Sequence, residues 1–138
     1  MTLLVDTSVW SLALRRDGNS EQPEVAALRA ALLDGELVVA TGLILQELLQ
    51  GFAGPTARTH IIERFSTLPL VHGDRSDHIA AADLRNTCRR AGVQLGTIDA
   101  LLAQLAIRHG LTLLTADADF SHAAAHCPLT VWPDARAN

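Results

Sequence analysis

A chain of 138 residues with 49% apolar content can bury a sizeable core, and the expectation is one domain spanning residues 1–138. Its formal net charge of −4 excludes a protein that coats nucleic acid indiscriminately, because such binding needs many cations against phosphates. All 11 basic residues are Arg, which removes P-loop chemistry, lysine Schiff bases and the receiver-domain phosphoacceptor site, each of which needs a lysine.

Short apolar runs alternate with longer segments of helical spacing, the pattern of a parallel sheet covered by helices. The first run, residues 2–6, predicts a buried strand, and a helix follows from near Thr7-Ser8. Residues 15–23, rich in Asp, Gly, Asn and Ser, read as an exposed loop. Val25, Leu28 and Leu32 mark the next helix, residues 36–40 the second strand, and Leu45, Leu48, Leu49 and Phe52 another helix with Thr41 as its N-cap. Residues 68–72 predict a third strand, which Pro69 places at a sheet edge.

Ala81, Leu84, Cys88 and Ala91 then mark a helix, as do Ile98, Leu101, Leu102 and Leu105, capped by Thr97 and stopped by Gly110. Residues 111–115 and 129–132 complete five strands, the last bracketed by Pro128 and Pro133. Apolar stretches fall far short of a membrane span, and Met1 leads straight into Leu3-Leu4-Val5 with no basic leader, so a cytoplasmic protein without membrane contact is expected. Cys88 and Cys127 are too few for a disulfide framework and read as reduced thiols. Trp10 and Trp132 read as core or interface residues.

Four acids stand where this fold brings them to one end of the sheet. Asp6 ends the first apolar run and Asp117 follows the run Leu111-Thr112-Leu113-Leu114-Thr115, so both lie at strand exits, where parallel sheets bind ligands. Glu47 and Asp99 lie on predicted helices. Singly, each has a structural reading: Asp6 as a helix cap, Asp99 as a first-turn acid complementing the macrodipole, Glu47 as a solvated flank, and Asp117 or Asp119 in Asx turns.

Together, the sequence around these acids resembles the PIN-domain nucleases, specifically the VapC-type toxins of bacterial toxin-antitoxin pairs. Three motifs carry the match: Leu4-Val5-Asp6-Thr7-Ser8-Val9-Trp10, Ile98-Asp99-Ala100-Leu101-Leu102-Ala103 and Leu114-Thr115-Ala116-Asp117-Ala118-Asp119-Phe120. Glu47, in Ile44-Leu45-Gln46-Glu47-Leu48-Leu49, falls at the family's intermediate acid. The resemblance implies a three-layer α/β/α sandwich with a mostly parallel central sheet. It also implies a divalent-metal site of Asp6, Glu47, Asp99 and Asp117, and a ribonuclease that blocks translation when unneutralised. Asp119 stays outside this quartet. Thr7, Ser8 and Thr115 are candidates for supporting hydrogen bonds or for caps.

Charge makes the case for metal, since two carboxylates about 4 Å apart repel by roughly 4 kcal/mol at an effective dielectric near 20. Hard Mg²⁺ or Mn²⁺, one or two ions, suits an all-oxygen donor set better than Zn²⁺. Arg15, Arg16, Arg85, Arg89 and Arg90 are candidate phosphate contacts, each with a solvated face as its plain alternative. Transfer, ribosomal and messenger RNA all suit these motifs. The resemblance further implies a homodimer and a small VapB-type antitoxin as partner. A catalytically silent PIN-like scaffold and a PIN nuclease of RNA processing are the alternatives. Other chemistries explain fewer residues. His122 and His126 flank Ala123 where a zinc-protease motif needs glutamate, and Ser8 stands where a haloacid-dehalogenase phosphatase needs its second aspartate.

Overall fold

The computed structural model of the chain describes residues 1–15 and 22–133. Four strands form one sheet in the order β2-β1-β3-β4, all pairs parallel. β1 (Leu3–Val5) and β3 (Thr112–Leu114) are the central strands, with Leu3 opposite Thr112 and Val5 opposite Leu114. β2 (Val38–Val39) and β4 (Thr130–Val131) are the edges. Leu3, Leu4, Val5, Leu113 and Leu114 are fully buried, as a strand covered on both faces requires. Each such side chain contributes about 1.5–3 kcal/mol by leaving water.

Helices cover the sheet, giving the α/β/α architecture. α1 (Thr7–Leu14), α2 (Pro23–Leu33), α3 (Gly42–Gly51) and α4 (Pro55–Phe65) form one packed series. α5 (Arg75–Arg90) and α6 (Thr97–Arg108) pack side by side as a second group, and α7 (Ala118–Ala123) follows β3. Trp10 of α1 is buried, its ring 4.9 Å from that of Phe65 on α4, whereas Trp132 is half-buried. No helix among the described residues is long and apolar enough to cross a membrane.

Local signals place most boundaries. The Thr41 hydroxyl accepts from Ile44 N at 3.1 Å and caps α3. Gly110, at φ 64°, takes the left-handed conformation that ends α6 and turns the chain into β3. Two expectations are corrected. Thr97 is the first helical residue and not the cap; Gly96 occupies the cap position of α6 without a side-chain bond. Residues 68–72 form no strand, only a bridge between Leu70 and Ala40. Pro69 has no N–H to extend a ladder. Pairing stops after Ala40 N donates to Pro69 O (3.0 Å) and Val71 N to Ala40 O (2.8 Å).

The chain steps from β1 outward to β2 and then back across to β3, so its direction reverses between the two central strands. A parallel sheet opens a crevice at the carboxyl ends of such neighbours. Asp6 and Asp117 emerge there, and Asp6 N donates to Leu114 O at 2.9 Å, tying the two exits together.

Candidate active site

Asp6 is 8% exposed, and its Oδ2 accepts two hydroxyls: Ser8 Oγ at 2.9 Å and Thr115 Oγ1 at 2.8 Å. Each hydroxyl also takes a backbone N–H from the turn after β3, Ser8 Oγ from Ala116 at 3.1 Å and Thr115 Oγ1 from Asp117 at 3.0 Å. The strand exits are thus locked together, while Asp6 Oδ1 accepts no hydrogen bond among the described residues. Asp6 does not cap α1 through its side chain. Thr7 Oγ1 donates to Glu47 Oε1 at 3.1 Å, joining α1 to α3.

Asp99 lies in the first turn of α6, half-buried, and its carboxyl is pushed up to about 6. Burial is the largest cause, followed by the charges of Asp6, Asp117, Glu47 and Asp119. The fold therefore brings four other acids within electrostatic reach of the Asp99 carboxyl, Asp119 last among them. Asp117 has a second duty: its Oδ1 accepts from Asp119 N at 2.9 Å and caps α7, so its structural reading and its place among the acids hold together. Asp119 is exposed.

Asp6, Glu47 and Asp99 wall a small open pocket, with Thr41 and the apolar side chains of Leu43 and Ile98 completing the rim. Thr41 is a lining residue that sequence reasoning took only as a cap. The donors are all oxygen, and like-charge repulsion already loads Asp99, which is the chemistry of a site for a hard cation. Among the described residues no three His, Cys, Asp or Glu side chains stand in finished ligating geometry. The acids are grouped electrostatically, and a coordination shell there needs water or side-chain adjustment.

The arginines are placed apart from this pocket. Arg15 ends α1 and is exposed, and Arg16 lies outside the described residues. Arg85 and Arg89 line a separate hollow, whereas Arg90 Nη2 donates to Thr87 Oγ1 at 3.3 Å on its own helix. His122 and His126 are exposed, and Cys127 Sγ donates to Ala123 O at 3.2 Å.

Residues 3–126 match the sequence profile of the PIN domain. The chain belongs to the PIN domain family. This PIN domain is 33% identical over 120 residues to Ribonuclease VapC11 of Mycobacterium tuberculosis, covering 86% of this chain and 88% of that one. In fold it is similar to a chain in the structure of VapBC2 from Rickettsia felis bound to a DNA fragment from their promoter. The TM-score is 0.71 at 19% identity, over 95% of this chain and 97% of that chain. It is also similar to VapC20 of Mycobacterium tuberculosis, a toxin described as cleaving the sarcin-ricin loop, with TM-score 0.64 at 20% identity, over 92% and 98% of the two chains.

The raised carboxyl of this PIN domain has a measurable consequence without metal. Asp99 titrates near 3.8 when unfolded and near 6 when folded, so its ionised form costs stability that is absent below about pH 4, grows between the two values and is complete above pH 6. In EDTA, Asp99→Asn is expected to raise the melting temperature by a few degrees at pH 7.5. That corresponds to about 1 kcal/mol once partial solvent screening is discounted. The difference vanishes near pH 4. A melting temperature that is lower than wild type at pH 7.5 contradicts this electrostatic picture.

Proposed function

We propose that this PIN domain is a divalent-metal-dependent endoribonuclease acting as the toxin of a toxin-antitoxin pair. The convergence of Asp6, Glu47, Asp117 and Asp119 upon half-buried Asp99 carries the reading, since a scaffold gains nothing from gathering like charges at a strand exit. Its similarity to Ribonuclease VapC11 supports the same activity. Asp6 and Asp99 would hold one or two Mg²⁺ or Mn²⁺ ions. Once bound, such a cation neutralises charge developing on a phosphodiester and acidifies attacking water.

The chain's own groups do the rest. Ser8 and Thr115 hold Asp6 in one rotamer, Thr7 holds Glu47, and the cap of α7 holds Asp117. Glu47 and Asp117 serve as further ligands or as the group that orients the water and takes its proton. We assign the chain an RNA substrate, a VapB-type antitoxin, a homodimeric state and a cytoplasmic location. The similarity to solved VapBC assemblies supports the antitoxin.

Metal removal tests the reading. Excess EDTA is expected to abolish cleavage of RNA, and added Mg²⁺ or Mn²⁺ to restore it. Cleavage undiminished in EDTA removes the metal-nuclease mechanism. Mapping RNA ends after controlled expression identifies the target.

A further inference from the structure

Arg85 and Arg89 lie one helical turn apart near the C-terminal end of α5. Arg85 is half-buried, and its Nε donates to Leu95 O in the segment before α6 at 3.0 Å. That bond fixes the guanidinium, and its Nη hydrogens make no hydrogen bond among the described residues. Arg89 makes no ion pair among the described residues, where the salt bridges all use Arg108. With Gln94, the two arginines wall an open hollow. Cations near a helix C-terminus complement its dipole, but a dipole calls for no concavity and no carbonyl bracing one guanidinium. Like charges four residues apart also repel.

The hollow and the acidic pocket are distinct but have a common neighbour. Arg85 also lines an apolar groove, and that groove shares Leu43, Ile98 and Leu101 with the pocket of Asp6, Glu47 and Asp99. The residues at the first turn of α6 therefore stand between the acids and the arginine pair.

We propose that the Arg85, Arg89 and Gln94 hollow is a phosphate subsite that holds a backbone phosphodiester of the RNA strand flanking the scissile bond. This rests on the ribonuclease reading above. A phosphodiester offers two unesterified oxygens, which match the parallel N–H groups of a guanidinium, and the Gln94 amide supplies a further donor. Charge complementarity suits a nucleic-acid strand, and the ribonuclease reading makes it RNA: the acids repel its backbone at the cleavage end, and the arginine pair, without an ion pair among the described residues, attracts it nearby. Contacts of this kind set position and register without reading bases.

The test measures binding of a labelled single-stranded RNA to the full chain carrying Asp6→Asn, in Mg²⁺, with and without Arg85→Ala plus Arg89→Ala. Arg90→Ala is the control for Arg85→Ala and Arg89→Ala taken singly, because each removes one positive charge from the same helix end and Arg90 does not line the hollow. The double substitution is expected to weaken binding about tenfold and to flatten the salt dependence by about 0.7, the value for one phosphate on a single strand. Arg90→Ala is expected to change affinity less than twofold. In the cleaving protein, the pair's loss raises KM for the long RNA about tenfold with kcat within twofold, and leaves kcat/KM for a dinucleotide unchanged.

Equal losses from Arg90→Ala, or an equal loss on the dinucleotide, overturn the subsite and leave only general electrostatics. Unchanged RNA binding together with lost dimerisation overturns it in favour of a protein contact. If wild type cleaves no RNA in Mg²⁺ while binding still depends on the pair, the nuclease reading fails, and with it the subsite's place beside a scissile bond, leaving an RNA-phosphate contact only. If cleavage depends on Asp6 but binding ignores the pair, the subsite alone fails.

Discussion

Asp6→Asn and Asp99→Asn are each expected to lower kcat for RNA cleavage by at least about 100-fold at saturating metal, with the circular dichroism spectrum unchanged. Removal of one preorganised electrostatic group in a dry site costs about 10²–10³ in rate. Asp6 is the better case, because it is buried and its Oδ2 is saturated by the Ser8 and Thr115 hydroxyls. In an asparagine the amide oxygen takes over those two bonds, and its NH₂ then points where a cation belongs.

Thr115→Val leaves the carboxylate in place but frees its rotamer, and about a tenfold loss is expected, the scale for removing a group that orients a ligand. Asp119→Asn is expected to cost less than that, since Asp119 is exposed and is the last of the charges acting on Asp99. Initial rates across a metal titration separate the variants. Wild-type rates in both Asp6→Asn and Asp99→Asn eliminate the proposed centre. Asp99→Asn carries a paired signature: it abolishes cleavage while stabilising the metal-free protein, a combination that a merely misfolded variant cannot produce.

Arg108→Ala is expected to be the most destabilising surface-side substitution, at about 3 kcal/mol. Asp77 of α5 is 1% exposed and pairs with Arg108 Nη1 of α6, while Arg108 Nη2 lies 3.6 Å from Asp74 Oδ2. Asp77 also accepts from Asp74 N at 3.0 Å and, weakly, from Gln104 Nε2 at 3.4 Å. Loss of the cation strands a buried carboxylate, which costs about 3–5 kcal/mol in a fully buried pair. The lower end applies here because Arg108 is 43% exposed and Asp77 keeps two other donors.

Asp77→Asn removes the charge instead and lets Arg108 turn to water, while its amide oxygen can still accept from Asp74 N, so about 1–2 kcal/mol is expected, mostly from the lost charge-assisted bond to Arg108. Urea denaturation decides the matter as a shift in midpoint at constant slope. The proposed asymmetry is wrong if Asp77→Asn proves costlier than Arg108→Ala. Acid acts on the neighbouring cap as well. Hydrogen bonds from Ser76 and Asp77 N hold Asp74 at about 2, so the stability it contributes is present above its ordinary 3.8 and is lost as pH falls toward 2.

How far the sequence carried depended on the range of each interaction. α3, α5 and α6 were legible from apolar spacing, because helical periodicity is local. α4 was missed: Ile61, Ile62 and Phe65 are a sparse signal after a polar start, although Pro55 after Gly54 was a usable N-terminal mark. α7, at six residues, is too short to show a period. The strand at residues 68–72 was overpredicted because β-type residues around Pro69 satisfy a composition test that the missing N–H fails. The four acids were singled out by their flanking motifs, and their mutual repulsion was expected from clustering alone. The part that burial plays at Asp99 and the weaker contribution of Asp119 were not legible, and neither was the Asp77 and Arg108 pair, which in sequence is an ordinary first-turn acid and a last-turn base.

By itself, then, the sequence determined the parallel α/β architecture, since buried central strands must be continuously apolar and their exits must be polar. It also determined which acids lie at those exits. The tertiary structure alone decided what holds them. Ser8 and Thr115 are separated by 107 positions, yet their hydroxyls stand 3.4 Å apart on the same Asp6 oxygen because β1 and β3 pair in register. The rise of Asp99 likewise needs α6 packed against the sheet's end, since burial and like charges act over a few ångströms of space whatever the distance along the chain.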